Sequence, residues 1–304
     1  MTQSTIEGVV PVLVTPFHLD GSIDAPSLAR LIDYNVAAGV HGLGIAIGSE
    51  IFKLDESERR RMTELVVAHV AGRVPVVVNT GASGTDIAVA YSRSAEQAGA
   101  DALMVMPPFF LPVGPAEILD YYRRISAAVS VPIILQDIPQ APIPPGLALR
   151  IADACPNVTA IKIETLPLTT KVADMMAAAA SRLTIFGGAG GGYFIEEMRR
   201  GARGTMPFCS QPAAFVEVWN RFRNGDERGA RKLFDAAFSA INRLAVQNND
   251  LFFHVHKQLL VRQGVIRTAH VRSPTVAVDD LTQREIDALL AELAPNATAF
   301  SEPE

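Results

Sequence analysis

The chain has few of the features that mark secreted, membrane-spanning or nucleic-acid-binding proteins. Its 304 residues include two cysteines, Cys155 and Cys209, which give no disulfide framework. No apolar run approaches the roughly 20 residues needed to cross a bilayer, and no basic segment followed by an apolar one opens the sequence. The formal net charge of −5 argues against a nucleic-acid or anionic-membrane surface. We therefore expect a cytoplasmic protein with neither nucleic-acid nor membrane partners.

Motifs for metals and nucleotide cofactors are also missing. His254 and His256 stand two positions apart in a helical pattern, where such side chains do not face each other. No other set of His, Cys and carboxylate residues has metal-ligand spacing. The glycine-rich segment 187–192 follows a strand pattern, but no GxGxxG register fits it. We expect no metal and no cofactor, and interpret Gly187 and Gly188 as a turn that lets a substrate or another stretch of backbone approach closely.

Short apolar runs alternate with longer helical patterns along most of the chain, and 49% of the residues are hydrophobic. Continuous apolar runs are typical of parallel strands covered on both faces, with helices as the crossovers. Eight such units close a (β/α)8 barrel, whereas an open doubly wound sheet is the structural alternative. The eight candidate strands are residues 8–14, 42–46, 74–79, 102–106, 132–136, 158–162, 183–186 and 204–207.

The pattern changes after Pro207, where helical periodicity continues with no strand pattern between the segments. One helix completes a barrel, so the remaining ones predict a carboxy-terminal helical appendage. We predict a barrel over residues 1–224 and helices packed on it over residues 225–304, without a second independent domain. We expect the last residues, 295–304, to fray.

Lys162 interrupts an apolar, β-branched run at residues 158–164. Lysine is rarely buried without a reason, and in an apolar pocket its pKa falls, which makes the neutral amine a nucleophile for carbonyl carbon. Lys162 is the only lysine at the carboxyl ends of the candidate strands, where a barrel holds its chemistry. Strand alternation places Glu164 on the same face. The alternative is a strand-end lysine whose ammonium reaches water or a carboxylate.

Other candidate residues also follow strand patterns. Gly48 and Ser49 form a turn whose backbone N–H groups suit a substrate carboxylate, while Glu50 is expected to be structural. Gln136 is a candidate for contact with substrate hydroxyl groups at the catalytic centre. Asp137 either binds substrate or secures the turn before a proline. The remaining candidates for substrate binding are Phe109, Gly187, Gly188 and Ser210.

Several short motifs occur in one order between Val10 and about Gly264. They include Leu13-Val-Thr-Pro-Phe17, Ser49-Glu50 followed by Leu54 and Glu58-Arg59, Thr80-Gly81, Pro132-Ile-Ile-Leu135 and Ile161-Lys162. In this order they resemble the dihydrodipicolinate synthase / N-acetylneuraminate lyase superfamily of Schiff-base lyases. The resemblance implies a (β/α)8 barrel with added carboxy-terminal helices. It also implies an imine between Lys162 and a 2-oxo acid, and a homotetramer.

The chain departs from that superfamily at three hydroxyl-bearing positions. It has Ala46-Ile-Gly-Ser-Glu50 for the Gly-Thr-Thr-Gly-Glu of dihydrodipicolinate synthases and Met106-Pro-Pro-Phe-Phe110 for their segment with tyrosines. It has Gln136 where most members of the superfamily carry a tyrosine. Glutamine cannot exchange a proton as a phenol does. Because a retro-aldol cleavage needs a base at the C4 hydroxyl, the departures argue against the usual aldolase mechanism and against dihydrodipicolinate synthesis.

Three further segments, Ser49–Phe52, Gln136–Pro139 and Lys162–Thr165, resemble the L-2-keto-3-deoxyarabonate dehydratases of the superfamily. We therefore predict a lyase that dehydrates a 2-oxo-3-deoxy sugar acid, with Lys162 forming the imine. Glu164 either transfers the C3 proton or forms a salt bridge that orients Lys162 or a neighbouring loop. One alternative is an aldolase or lyase acting on another 2-oxo acid. An alternative of another class is a barrel that binds a 2-oxo acid without turnover.

Overall fold

The computed structural model describes residues 6–111, 113–248 and 250–293, and its strands form a closed ring. Parallel pairing runs in the order β1-β8-β7-β6-β5-β4-β3-β2, and a bridge between Val12 and Gly44 joins the first and second strand segments. The (β/α)8 prediction is confirmed. The strands are β1 Gly8–Val9, β2 Leu43–Ile45, β3 Val76–Asn79, β4 Ala102–Val105, β5 Ile133–Asp137, β6 Val158–Ile163, β7 Thr184–Gly187 and β8 Gly204–Thr205.

Helices fill the connections between strands and continue beyond the last one. Asp24 and Asp55 begin the first two, because their carboxylates accept the otherwise unpaired N–H groups of Ser27 and Glu58. The helices are α1 Ala25–Ala37, α2 Glu56–Val70, α3 Thr85–Gln97, α4 Pro115–Ser126, α5 Pro145–Ala154, α6 Leu168–Ala179, α7 Phe194–Arg199, α8 Pro212–Arg223, α9 Glu227–Ala245, α10 Leu251–Arg262 and α11 Asp280–Leu293.

The first and last strands are shorter than the sequence pattern predicts. Pro11 and Pro207 fall inside the predicted runs and have no N–H to donate to a ladder. The chain still follows its neighbours, since the Val12 N–H donates to the Pro207 carbonyl oxygen at 2.8 Å. Proline thus ends the regular ladder without opening the barrel.

The barrel interior is filled by side chains that alternate with those facing the helices. Ala160 belongs to this interior cluster, and Lys162 lies two residues further along the same strand, so both point inward. The other members of the cluster come from the seven other strand segments of the ring, namely Val10, Val12, Ala46, Val77, Ala102, Met104, Ile134, Phe186 and Met206. The lysine therefore stands at the end of a dry apolar column.

The last three helices form the predicted carboxy-terminal addition and have their own apolar contacts. Residues from α9, α10 and α11 make a separate buried cluster, Ile241, Leu244, Leu251, Val255, Leu259, Ile286 and Leu290. The division at residues 224 and 225 stays a prediction, and residues 294–304, including the segment expected to fray, lie outside the described part of the chain. Among the described helices, none is long and apolar enough to cross a membrane.

Candidate active site

A cavity of about 860 Å³ opens at the carboxyl ends of the strands. This is the end of a barrel at which chemistry is placed. Turns after β2, β5, β7 and β8 supply most of its wall, and the segment that joins α9 to α10 supplies its rim. Lys162 and Glu164 from the end of β6 lie in the same wall.

Lys162 is 4% exposed, and its Nζ lies 2.8 Å from Glu164 Oε1. Its strand is flanked by β5 and β7, where Gln136 and Phe186 are its partners in register. The lysine is therefore enclosed by protein on both sides and meets solvent only through the cavity. The ion pair holds the amine beside a group that can accept its proton.

The Glu164 carboxylate is oriented by a chain of amides. Gln136 Nε2 donates to Glu164 Oε2 at 2.7 Å, and Asn79 Nδ2 donates to Gln136 Oε1 at 2.7 Å. Gln136 and Asn79 are 1% and 3% exposed, so both amides are shielded from water. A carboxylate that accepts both an ammonium and an amide N–H is held by strong, directional bonds. Three strands thus fix one carboxyl group relative to the amine.

The turn after β2 places Gly48, but not the Ser49 side chain, at the cavity. The Ser49 hydroxyl donates to the Leu13 carbonyl oxygen and accepts the Ala46 N–H at 3.1 Å. The Ser49 N–H also donates to the Ala46 carbonyl oxygen, at 2.8 Å. Ser49 therefore shapes the turn, and Ile47 and Gly48 are the residues of this turn that line the cavity.

Glu50 has the structural role expected of it. It is fully buried, and its carboxylate accepts hydrogen bonds from Lys257 Nζ and, at 3.3 Å, from the Arg272 N–H. Burial lowers the pKa of Lys257 to about 8, and the Glu50 charge opposes that fall. This pair ties the turn at the cavity to α10 and to the segment that follows it.

Most of the predicted substrate-binding residues lie away from the cavity. Asp137 is fully buried and accepts the Ile143 N–H and the Lys171 ammonium, each at 2.7 Å, which secures the loop after β5. Ser210 Oγ lies 2.8 Å from His256 Nδ1, inside the protein. Phe109 is 39% exposed on the loop after β4. The structure brings none of Asp137, Ser210, Phe109 and Gly187 into the wall of the cavity.

Gly187 and Gly188 leave room for two carboxyl groups. A Cβ on Gly188 would lie 2.4 Å from Glu164 Cγ, and a Cβ on Gly187 would lie 1.7 Å from Glu197 Oε2. Neither glycine lines the cavity itself. Their close approach is thus to protein atoms, which include the Ile163 carbonyl oxygen, 2.8 Å from a Cβ on Gly188. Contact of either glycine with substrate stays a prediction.

Several cavity residues have no counterpart in the sequence prediction. Phe208 directly follows the last strand pattern. It could therefore have been found by taking every residue at the carboxyl end of a predicted strand as a candidate. Its ring stacks on His256 with the ring centroids 4.1 Å apart, and lies tilted against Phe252 at a centroid distance of 5.0 Å. The rim residues Asn242, Arg243 and Gln247 come from the helical appendage, and Tyr193 and Gln140 come from turns. No local signal marks the rim, because only the docking of α9 brings it to the barrel mouth.

No metal site accompanies the cavity in the described part of the chain. Within residues 6–111, 113–248 and 250–293, no group of three or more His, Cys, Asp or Glu side chains could hold a metal ion. His254 Nε2 lies 2.8 Å from Thr275 Oγ1, and His256 contacts Ser210. The two histidines therefore make separate contacts.

Comparisons with known proteins agree with this architecture. The model of the dihydrodipicolinate synthetase family matches residues 5–293. The chain is 31% identical to the L-2-keto-3-deoxyarabonate dehydratase of Azospirillum brasilense, over 97% of this chain and 98% of that protein. It is 29% identical to the 4-hydroxy-tetrahydrodipicolinate synthase of a Psychrobacter species, over 94% of each. The crystal structure of YagE from Escherichia coli K12 in complex with pyruvate superposes with a TM-score of 0.88 at 26% identity, covering 95% and 99% of the chains.

Barrel, buried lysine and cavity together define the class of lyases that form a Schiff base with their substrate. The chain belongs to the dihydrodipicolinate synthetase family, since the family model matches nearly its whole length. Sequence identity does not separate a dehydratase from a synthase, because relatives of both kinds are 31% identical over more than nine-tenths of this chain. Family membership therefore gives a lyase, and the reaction has to be argued from the site.

Proposed function

We propose that the chain dehydrates a 2-oxo-3-deoxy sugar acid, such as L-2-keto-3-deoxyarabonate, through an imine on Lys162. The contact between Gln136 and Glu164 carries the proposal. Gln136 is an amide and exchanges no proton, whereas a phenol at this position would act as the acid–base group for carbon–carbon cleavage. The contact leaves Glu164 as the proton-transferring group beside the amine.

The proposed reaction needs one carboxylate. Lys162 attacks C2 of the 2-oxo acid, the carbonyl oxygen leaves as water, and an imine forms. The protonated imine withdraws electrons, so a C3 proton becomes acidic and Glu164 takes it to give the enamine. Glu164 returns this proton to the C4 hydroxyl, which leaves as water as the C3–C4 double bond forms. Hydrolysis of the remaining imine restores Lys162, and the net change is the loss of one water.

The lining of the cavity suits such a substrate. Backbone at Ile47 and Gly48 offers a place for the carboxylate at C1, close to Lys162. Gln140, Asn242 and Gln247 also line the cavity, and side-chain amides can both donate to and accept from hydroxyl groups. The relative in Azospirillum brasilense is named for a substrate of this class, which supports the same assignment.

A cytoplasmic location and a homotetramer belong to the same proposal. The loop after β4 exposes a run of apolar side chains, with Phe110 at 79% and Leu111 at 70% exposure. Contiguous apolar side chains on a surface are typical of interaction sites. A second copy of the chain is the partner that the family resemblance implies.

Borohydride trapping tests the covalent step. The wild-type protein incubated with pyruvate and borohydride should gain the mass of one reduced adduct, and Lys162→Ala should gain none. Lys232→Ala, which removes an exposed lysine on α9, is the matched control and should be labelled like wild type. Bound pyruvate without any adduct would instead support the barrel that binds without turnover.

A substrate screen separates dehydration from cleavage. Purified protein is supplied with 2-oxo-3-deoxy pentonates and hexonates, and the products are followed by mass spectrometry. The proposal expects loss of 18 Da, the mass of one water, with the carbon chain intact. Release of pyruvate and an aldehyde, or condensation of the two, would show an aldolase and overturn the dehydratase assignment.

A further inference from the structure

Glu197, on α7, is a buried acid without a partner. It is fully buried, and within the described part of the chain neither of its carboxyl oxygens has a hydrogen-bond partner. Buried polar groups are almost always hydrogen-bonded, because an isolated buried charge is very unfavourable. Burial raises the pKa of Glu197 to about 8, with smaller contributions from the Glu196 and Glu164 charges, and Lys162 opposes the rise. The side chain is thus a neutral acid at pH 7.

The backbone of two glycines separates this acid from the catalytic pair. Glu197 Oε2 occupies the space that a Cβ on Gly187 would fill, and Glu164 Cγ occupies that of Gly188. Gly187 is paired in register with Ile163, the residue between Lys162 and Glu164. Because glycine has no side chain, these two residues place only backbone between the two carboxyl groups. Electrostatic interaction across such a thin, dry wall is poorly screened.

Few other charged groups act on Glu197. The helix α7 packs against α6, α9 and β8. Arg231 from α9 pairs with Glu196 at 3.0 Å. The charged groups that influence Glu197 are therefore Glu196 on its own helix, and Lys162 and Glu164 on β6 and its end.

We propose that Glu197 is a positioning residue for the reaction, a neutral acid behind the Gly187–Gly188 backbone that keeps a second negative charge away from Lys162 and Glu164. The inference rests on the proposed function, since it concerns the same amine and carboxylate. Were Glu197 ionised, its charge would hold the ammonium proton on Lys162. It would also oppose return of the proton from Glu164 to the leaving hydroxyl. Ionisation of Glu197 thus switches the site off at alkaline pH.

The variant Glu197→Gln tests this role without changing shape or charge in the resting state. Because the native acid is neutral at pH 7, the amide should fold as well as wild type, which thermal unfolding at pH 7 checks. Glu117→Gln, at an exposed position of α4 that does not act on Glu197, is the control. In wild type and Glu117→Gln, kcat/KM for a 2-oxo-3-deoxy pentonate should fall about tenfold per pH unit above pH 8. In Glu197→Gln this decline should move to higher pH by at least one unit. An unchanged alkaline limb in Glu197→Gln would overturn the proposal.

Two measurements separate this inference from the proposed function. The rate of borohydride trapping with pyruvate, followed against pH, reports the amine even if no dehydration occurs, and should show the same shift. Infrared spectroscopy reports the protonation state of the Glu197 carboxyl group directly. Wild type at pH 7 should show the carbonyl stretch of a protonated carboxylic acid, which disappears at alkaline pH and is absent from Glu197→Gln. The absence of this band from wild type at pH 7 would contradict the inference whatever the enzyme's reaction.

Discussion

Glu164 Oε1 lies 2.8 Å from Lys162 Nζ, and the two residues are separated on the chain by Ile163 alone. The side chains share a face because β6 alternates its side chains and Glu164 continues that alternation beyond its end. The other carboxylate oxygen is held by Gln136. Amine and carboxylate are therefore fixed before any substrate arrives, which favours a proton transfer that needs no rearrangement.

Removing the Glu164 carboxylate should separate imine formation from dehydration. We expect Glu164→Gln to lower kcat for a 2-oxo-3-deoxy sugar acid by about 10²–10⁴-fold, the usual contribution of a general acid–base group. The pyruvate adduct with Lys162 should still form under borohydride, because the lysine remains. Glu117→Gln, at an exposed position of α4, should leave both measurements unchanged. A dehydration rate that survives in Glu164→Gln would assign the proton transfer to another group.

Gly188 should tolerate no side chain. A Cβ there would meet Glu164 Cγ at 2.4 Å and the Ile163 carbonyl oxygen at 2.8 Å, both well inside contact distance. We expect Gly188→Ala to lower the free energy of unfolding by about 1–3 kcal/mol, as overpacking does, and to reduce activity by displacing Glu164. Gly146→Ala on α5 is the control, since a Cβ there would have no contact within 4 Å. Urea unfolding and turnover should distinguish the two, and equal behaviour would contradict the packing explanation.

The neutral state of Glu197 should make stability depend on pH. Its pKa is raised from 4.5 to about 8 in the folded protein, so between these values the folded state keeps a proton that the unfolded state has released. The favourable contribution is full below about pH 4.5 and is lost as pH rises towards 8, on the order of a few kcal/mol in total. Urea unfolding of wild type and Glu197→Gln across this range measures it. The difference between the two free energies should change in favour of Glu197→Gln as pH rises, and parallel curves would refute the raised pKa.

Removing one partner of the buried ion pair between Lys257 and Glu50 should lower the free energy of unfolding. Both side chains are fully buried, and after removal of the ammonium the Glu50 charge still faces the Lys53 ammonium, at 3.3 Å, and the Arg272 N–H. We expect Lys257→Met to lower the free energy of unfolding by about 1–3 kcal/mol, less than an unpaired buried charge would cost. Lys257→Met with Glu50→Gln should recover part of that loss, because the Glu50 charge that lost its Lys257 partner is gone. Strictly additive losses in the double variant would show that the pair does not interact.

The apolar loop after β4 should decide the oligomeric state. Burying Phe110 between two copies of the chain would remove exposed apolar surface from water, and a carboxylate there would oppose this. We expect a homotetramer by analytical ultracentrifugation, and a smaller species for Phe110→Asp. Leu281→Asp, which changes a 60% exposed leucine on α11, should leave the sedimentation unchanged. A monomer in wild type would refute the tetramer.

Sequence reasoning found the residues whose signal is local. Lys162 is visible because a charged side chain interrupts an apolar strand, and Glu164 follows from alternation along that strand. Asp137 and Ser210 show the limit of this approach. Both follow the carboxyl end of a strand, where a barrel places its chemistry, so sequence reasoning puts them at the correct edge of the barrel. It cannot tell that Asp137 pairs with Lys171 and that Ser210 contacts His256. Whether a polar side chain faces a cavity depends on partners that are distant in sequence.

By itself, the amino-acid sequence determined the closed barrel, the carboxy-terminal helices and the inward-facing lysine, because periodicity and strand alternation are set by neighbouring residues. Only the tertiary structure decided the surroundings of that lysine. The Asn79–Gln136–Glu164 chain joins three strands, the rim depends on the docking of α9, and Glu197 becomes neutral because helix packing excludes water from it. These features arise from contacts between segments far apart in the chain, and local sequence patterns contain no record of such contacts.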